Sequence, residues 1–460
     1  MPDFIFPHAK TFRDPVYGLI KVPEFLLEIV DNPLFQRLRW ISQMSLAQMV
    51  YPGAVHTRFE HSLGTMHLAY IAALSLWNNA KEYHKTSEAC RDFLDQVGNR
   101  ENFVKAAMIV GLLHDVGHAP FSHVFEMAVD EYDHEDIGYL LSRHLLREAD
   151  LLDEDWAVWV LDALNKEKDL TEILSPAQVL RTLVDSDGID IDKGDYLLRD
   201  SHHCGVSYGY YGWERVWNNL AVIYEEKNDQ KILKVGITSK AAYEAYHLLI
   251  ARFHMYEAVY EHHTKQKIDA VIGYLLRRTR EIFAPSREQI EEDPQRSMLY
   301  WNDGFFISKL LETYRRGNIE KIYKRDLPFK IDFLKEIRVV LPDEKPEKQR
   351  VKKELKEKIW KLAEEATFFP YFYKPQEPFP LESLYEVKVK ISDNDEVKPL
   401  FNVLEIRNVK AVESTRDPEE SPRSSQIRVR AYGYDKEGLK RYQEKWDEIR
   451  QMGSYRSLLH

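Results

Sequence analysis

The amino-acid sequence predicts a mainly helical protein with a small β-hairpin and a mixed α+β unit toward its C-terminal end. Two observations predict it. Apolar residues recur at helical spacing through much of the chain as far as Phe283, as in FEHSLGTMHLAYIAALSLW and NFVKAAMIVGLL. Strand-like alternation is confined to KILKVGI, which reads as half of a hairpin turning at KNDQK, and later to YEVKVKI and QIRVRAY.

The 460 residues suffice for a large core and more than one unit, and the reading divides them at residues 1–340 and 341–460. A net charge of −11 argues against a surface built to bind nucleic acid. Two cysteines provide no disulfide framework, which points to a reducing, cytoplasmic setting. No apolar run approaches the roughly 18 residues of a membrane span, so no membrane partner is expected.

In chain order, FRDPVYGLIKV reads as a turn with a short extended stretch. Leu34, Leu38 and Ile41 then mark one apolar face of a short helix and leave Gln36, Arg37 and Arg39 pointing away from it. A long helix begins near Phe59 after a Pro-Gly turn, with Arg58 and His61 at its start, where free N–H groups favour anions. The next helix is apolar on nearly every face and ends in GLLHDVGHAPFSH, with Gly117 and Pro120 as its stop signal. His134 opens another helix. Between Asp185 and Asp200 lie six aspartates, and a helix there places Asp192, Tyr196 and Asp200 on one face. Ser239 to Phe283 reads as a long helical region whose Tyr256 and Tyr260 form an aromatic stripe, ordinarily a core feature. The run from Lys345 reads as an amphipathic helix with Val351, Leu355, Ile359 and Leu362 on one side, and ESTRDPEESPRSS as a mobile loop.

His61, His114, Asp115 and Asp192 would make an N/O site for one divalent transition metal, and with no cysteine nearby the pattern does not suggest a structural zinc knuckle. His/Asp sites accept Fe, Mn, Zn, Co or Ni, so the donors do not name the ion. Arg58, His118, His123 and Lys193 lie among these residues and suit a phosphate substrate, because phosphoryl chemistry depends on positioning and counter-charge.

HTRFEHSLG, HDVGHAPFSH, DHE and DIDKGDYLLRD resemble, in wording and order, the HD-domain metal-dependent phosphohydrolases. More narrowly they resemble the deoxynucleoside triphosphate triphosphohydrolase (dGTPase-like) branch, which includes the animal sterile-alpha-motif HD protein and bacterial relatives. The likeness spans about residues 10–285. It implies an HD-domain helical core and hydrolysis of a dNTP to deoxynucleoside and triphosphate. His61, His114, Asp115 and Asp192 would bind the metal, and His134 with Glu126 would handle protons. Arg58, His118, His123 and Lys193 would contact phosphates, with Mg²⁺ accompanying the nucleotide. Tyr196 would pack on the sugar, Asp200 would accept from its 3′-hydroxyl, and Gln43 and Met44 would floor it. Where the animal branch carries an Arg and a His from a later helix, the aligned positions here are Tyr256 and Tyr260, wording closer to the bacterial branch. Lys10, Asp31, Gln36 and Arg39 match a guanine-nucleotide activator site, so GTP or dGTP and a homo-oligomer are the expected partners. Two alternatives stay open: an HD phosphatase or phosphodiesterase acting on a nucleoside monophosphate or another phosphate ester, and a non-catalytic nucleotide-sensing or nucleic-acid-binding protein.

Overall fold

The structure, a computed structural model, describes residues 4–129, 132–227, 230–313, 317–331, 334, 336–341, 345–373, 381–391, 395–404 and 426–451. An antiparallel hairpin, β1 (His8–Asp14) and β2 (Gly18–Pro23), leads through short helical turns at Pro33–Gln36 and Arg37–Trp40 into α1 (Arg58–Tyr83). Then follow α2 (Glu88–Val97), α3 (Arg100–Leu113), α4 (His123–Ala128), α5 (His134–Glu148), α6 (Ala157–Leu164), α7 (Pro176–Val184) and α8 (Ile191–Cys204). The fold is mainly helical, as the periodicity predicts.

Side-chain caps set the starts of the helices that carry the site. Asn99 accepts from the amides of Glu101 and Asn102, Asp133 from those of Glu135 and Asp136, and Asp190 from that of Lys193, meeting the unpaired donors of a helix N-terminus. Two glycines set how closely the central helices cross. A Cβ on Gly64 would lie 1.9 Å from an Asp195 oxygen, and one on Gly111 2.8 Å from the Thr65 carbonyl. Thr65 donates its hydroxyl hydrogen to the Gly111 carbonyl at 2.7 Å across that contact. Ile109, Leu112 and Leu113 are wholly buried in the interface, each stabilising the fold by roughly 1.5–3 kcal/mol relative to exposure.

The end of α3 differs from the expected glycine stop. The helix ends at Leu113, with His114 as its C-cap in an ordinary helical conformation. Gly117 instead allows close packing, since a Cβ there would lie 2.0 Å from the His134 carbonyl. Arg37 also departs from the expected outward-facing position. It is 2% exposed and donates to the carbonyls of Val116 (2.7 Å), His118 (3.0 Å) and Trp301 (2.9 Å). Three carbonyl acceptors offset the cost of burying its charge.

After a short helix at Trp213–Trp217, β3 (Leu220–Lys227) pairs antiparallel with β4 (Gln230–Thr238). The predicted long helical region is two helices, α9 (Ala242–Met255) and α10 (His263–Phe283), joined by a π-helical turn at Tyr256–Tyr260. The chain continues through α11 (Asp303–Thr313), β5 (Phe329–Lys330), β6 (Ile337–Val340), α12 (Lys345–Ala366), β7 (Phe369–Tyr373), β8 (Lys388–Lys390), β9 (Val397–Pro399), β10 (Gln426–Gly433) and α13 (Gln443–Gln451). Strands from both sides of residue 340 share sheets. Beside β3 and β4 lie β8 and β9, and β10 pairs with β5, β6 and β7. The apolar side of α12 is buried as predicted. The ESTRDPEESPRSS stretch and the centre of the KNDQK turn lie outside the described residues. Among the described residues, no helix is long and apolar enough to cross a membrane.

Candidate metal centre and its cavity

His61 on the first turn of α1, His114 and Asp115 at the end of α3, and Asp192 on the first turn of α8 converge. One nitrogen or oxygen from each lies within 4.8 Å of all the others. The His61 Nε2 is 3.1 Å from Asp192 and 3.3 Å from Asp115, and the His114 Nε2 is 3.5 Å and 3.6 Å from Asp115 and Asp192. Both Nε2 atoms are buried without a hydrogen-bond partner among the described residues. Their Nδ1 atoms are engaged, that of His61 by Asp195 at 2.8 Å and that of His114 by the Gly111 carbonyl at 2.9 Å. Holding the proton on Nδ1 leaves the Nε2 lone pairs directed into the cluster, the arrangement a metal-ligating imidazole needs. Two such nitrogens, two carboxylates and no sulfur fit one divalent transition metal.

The charges around this cluster are strongly coupled. Burial opposes the cation on His61, but Asp115, Asp192 and Asp195 raise its pKa well above the usual imidazole value. Burial likewise opposes charge on Asp115, yet Arg58, His114 and His118 hold it well below the usual carboxylate range. Asp195 is itself braced by Arg199 at 2.8 and 2.9 Å, and Arg199 reaches Asp14 at 2.7 Å.

Beside the cluster, the His134 Nδ1 is 2.7 Å from Glu126, and the His134 ring stacks on His118 with centroids 4.0 Å apart and planes 11° from parallel. Burial, then Arg58 and His134, push His118 well below the imidazole value, while Glu126 overcomes burial to raise His134. Of the two stacked rings, the surroundings thus favour the neutral form of His118 and the protonated form of His134. Asp115, His118 and His134 also fall within ligand distance of one another. Parallel stacking argues against a second ion there, because an ion in the plane of one ring lies well out of the plane of the other.

A cavity of about 290 Å³ opens onto Arg58, Asp115, His118, His134 and Asp192, and is walled by Tyr196, Asp200, Tyr256 and Tyr260.

Comparison with known proteins fits this geometry. The HD domain family matches residues 58–187, the span containing His61, His114 and Asp115, and the HD associated region matches residues 229–416. By these two matches the chain carries an HD domain followed by an HD associated region. It is 28% identical to the deoxynucleoside triphosphate triphosphohydrolase SAMHD1 homolog of Dictyostelium discoideum, over 69% of this chain and 57% of that protein. It is 29% identical to human SAMHD1, over 57% and 43% of the two chains, and 35% identical to an uncharacterised protein of Methanocaldococcus jannaschii, over 57% and 48%. The chain thus spans about half the length of these relatives.

Around this cavity the sequence-predicted residues fare unevenly. Gln43, Met44, Arg58, His118, His123, Tyr196, Asp200 and Tyr256 all line the cavity. Lys193 does not, because its ammonium is bound by the Asp190 carboxylate and the Ser186 carbonyl (2.7 Å). Both carboxylate oxygens of Asp200 are engaged, one with His56 Nε2 at 2.6 Å and one by the Tyr260 hydroxyl at 2.7 Å. The aromatic stripe of Tyr256 and Tyr260 is a cavity wall, contrary to its ordinary reading. Aligning the later-helix cation with Tyr256 and Tyr260 also misses Arg252, one turn earlier, whose guanidinium lies 4.9 Å over the Tyr256 ring. Lys265 and, from β7, Tyr371 line the cavity without having been foreseen. A lysine in a charged helix and a tyrosine more than a hundred residues downstream carry no local signal for such a site. Away from the cavity, Lys10 pairs with Asp31 at 2.5 Å, and Arg39 donates to Gln36 at 2.7 Å while lying 3.6 Å over the Phe59 ring. Gln36 donates to the Val30 carbonyl at 2.7 Å, which brings the two pairs together.

Proposed function

We propose that this chain hydrolyses deoxynucleoside triphosphates to deoxynucleoside and triphosphate. The observation that carries the reading is the shared cavity: Asp115 and Asp192 of the metal cluster, the His118–His134 stack and an aromatic wall open onto one space. The fold relationship and the SAMHD1 likeness support it.

His61, His114, Asp115 and Asp192 are the residues that would hold a divalent ion, whose chemistry is to polarise a phosphoryl oxygen and lower the pKa of water. Arg58 lies in the cavity wall with its Nε on Ser122 at 2.8 Å and a terminal nitrogen on Asp115, so its position is fixed beside the phosphates. In the proposed reaction an oxygen of water bonds to the α-phosphorus as the bond to the sugar O5′ breaks. Glu126 fixes the His134 Nδ1, leaving the Nε2 proton for the departing O5′. His118, held neutral, accepts a hydrogen bond or approaches a phosphate without adding a second cation to the stack. Tyr196 and Tyr256 offer faces for the sugar, and Asp200 offers an acceptor beside them. Mg²⁺ would enter with the nucleotide. A guanine nucleotide at Lys10, Asp31, Gln36 and Arg39 would activate the protein and drive its self-association.

One observation favours a second reading. With Lys193 committed to Asp190, and Lys265 of the cavity wall paired with Asp269 at 2.6 Å, fewer cations are free for a triphosphate than the sequence suggests, which suits a monophosphate or diester. Product analysis distinguishes the two. Metal-loaded protein is incubated with each dNTP, with and without GTP, and its nucleoside, monophosphate, pyrophosphate and triphosphate products are separated. Deoxynucleoside with triphosphate supports the first reading. Turnover of monophosphates or diesters alone supports the second. Unchanged rate and mass on adding GTP or dGTP removes the activator site.

A further inference from the structure

The metal cluster faces two cavities. A smaller one, of about 100 Å³, is lined by His114, Asp115, His134 and Asp192, and its other walls come from α5, α7 and the C-terminal end of α6 with the turn beyond it. Asp115, His134 and Asp192 face both cavities, whereas His114 and Glu135 face only the smaller one.

The smaller cavity has different chemistry. At roughly 30 Å³ per water it holds about three waters and no nucleotide. Its four carboxylates, Asp115, Glu135, Asp185 and Asp192, outnumber its cations, Lys166, Arg181 and His134, whose protonated form Glu126 favours. The Arg181 guanidinium is occupied by the carbonyls of Asp162, Ala163, Asn165 and Lys168. The Lys166 ammonium is held between Glu135 and Asp185, 3.1 Å from the latter. Phosphate is therefore disfavoured by size, and water is not. Side-chain exposure is 54% at Asp185 and 42% at Lys166 against 10% at His114 and 9% at Asp115, while Asp192, which also faces the larger cavity, is 34% exposed. The ion bridge thus stands at the solvent end, and the cluster at the inner end.

We infer that this cavity is a water route to the metal cluster, separate from the substrate cavity, with Lys166 as a positioning residue that braces its outer end. The inference rests on the proposed hydrolysis. Each turnover consumes one water, and a nucleotide filling the larger cavity obstructs approach from that side.

The test uses the full chain loaded with Mn²⁺ and reads the relaxation of water protons by the ion, which reports water exchange without turnover. The larger cavity is filled with a non-hydrolysable dNTP analogue, whose binding is followed separately by broadening of its phosphorus signals. The wild type is expected to keep most of its relaxation enhancement with the analogue bound. Ala163→Phe, which places a ring in the smaller cavity, should keep the enhancement alone and lose most of it when the analogue binds. Lys166→Met should leave exchange as fast as in the wild type or faster. Collapse of the wild-type enhancement on analogue binding, or an Ala163→Phe response equal to the wild type's, overturns the route. If Ala163→Phe fails to fold, Leu164→Phe fills the same space and carries the test. Failure of any analogue to bind counts against the proposed substrate instead. The route is then decided with Met44→Trp obstructing the larger cavity in the analogue's place, under the same two outcomes.

Discussion

Asp195→Asn isolates the device that aims His61 at the cluster. Asp195 is fully buried; its Oδ2 accepts from both the His61 Nδ1 and the Arg199 Nε, and its Oδ1 from a terminal nitrogen of Arg199. An asparagine has nearly the same shape but one acceptor and one donor end. With its oxygen at the Oδ2 position, its amide hydrogens face the Arg199 terminal nitrogen; if reversed, they face both the His61 Nδ1 proton and the Arg199 Nε. At least one contact becomes donor against donor in either orientation. Loss of such an orienting partner typically lowers metal affinity about 10- to 100-fold, or about 1.4–2.7 kcal/mol. Removing one member of a buried ion pair costs about 3–5 kcal/mol of stability. Here Asp14 still pairs with Arg199, so the lower end applies. The assay is competition with a chelating dye for the bound ion, with thermal unfolding in the metal-free and metal-loaded states. Metal affinity equal to the wild type's would refute the claim that Asp195 sets the His61 tautomer. A fall in melting temperature without a change in affinity would confine Asp195 to a structural role.

The remaining predictions concern protons and turnover. Because carboxylates raise His61 and His114 in the metal-free protein, ion binding near neutral pH should release protons, and affinity should rise with pH. Calorimetry in buffers of different ionisation enthalpy checks this, and an enthalpy independent of buffer contradicts it. Burial holds the His67 imidazole down to about 4, so the unfolded chain takes up a proton below about pH 6.5 that the folded protein refuses. Stability conferred by the neutral ring is thus present above that pH and lost as pH falls toward 4, by up to about 3 kcal/mol. His67→Gln should flatten that part of the denaturation profile. His134→Ala and Glu126→Gln should retain the metal and the melting temperature while turnover falls by about 10²–10⁴ in the alanine variant, the range for a general acid. Full activity in His134→Ala would remove its proton-handling role.

How far the site was legible depended on whether its residues declare themselves locally. His61, His114, Asp115 and Asp192 fall where helical patterns begin or end, and such ends are where side chains from separate helices meet. Asp195, Arg199 and Arg37 were illegible for the opposite reason. A charged residue on a helix reads as solvated, and nothing local says that Gly64 lets α8 approach closely enough to bury Asp195 against His61. Lys193 misled because adjacency to Asp192 suggests a shared site. In the structure its stem carries the ammonium back to Asp190, the residue that caps the same helix. Tyr371 and the shared sheets depend on pairings between segments far apart in the chain, which no window of sequence contains.

Arg37 and Asp303 account for the rigidity of the turn that presents Asp115. Arg37 grips the carbonyls of Val116 and His118, the residues immediately after and three after Asp115. Burial lowers its pKa only to about 10, so the guanidinium remains charged and its hydrogen bonds are charge-assisted. Asp303, at the start of α11, accepts from the amides of Ser42 at 2.9 Å and Phe121 at 2.8 Å. These contacts fasten the segment bearing Gln43 and Met44 to the loop bearing Ser122 and His123. Gln36 and Arg39 flank Arg37 in sequence, so any ligand that repositions them acts on a segment already bonded to the metal-bearing turn. Displacing that segment would leave the Val116 and His118 carbonyls buried without their donor, at about 1–3 kcal/mol each. The same contacts that hold Asp115 in place therefore give the N-terminal segment a direct mechanical connection to the metal centre.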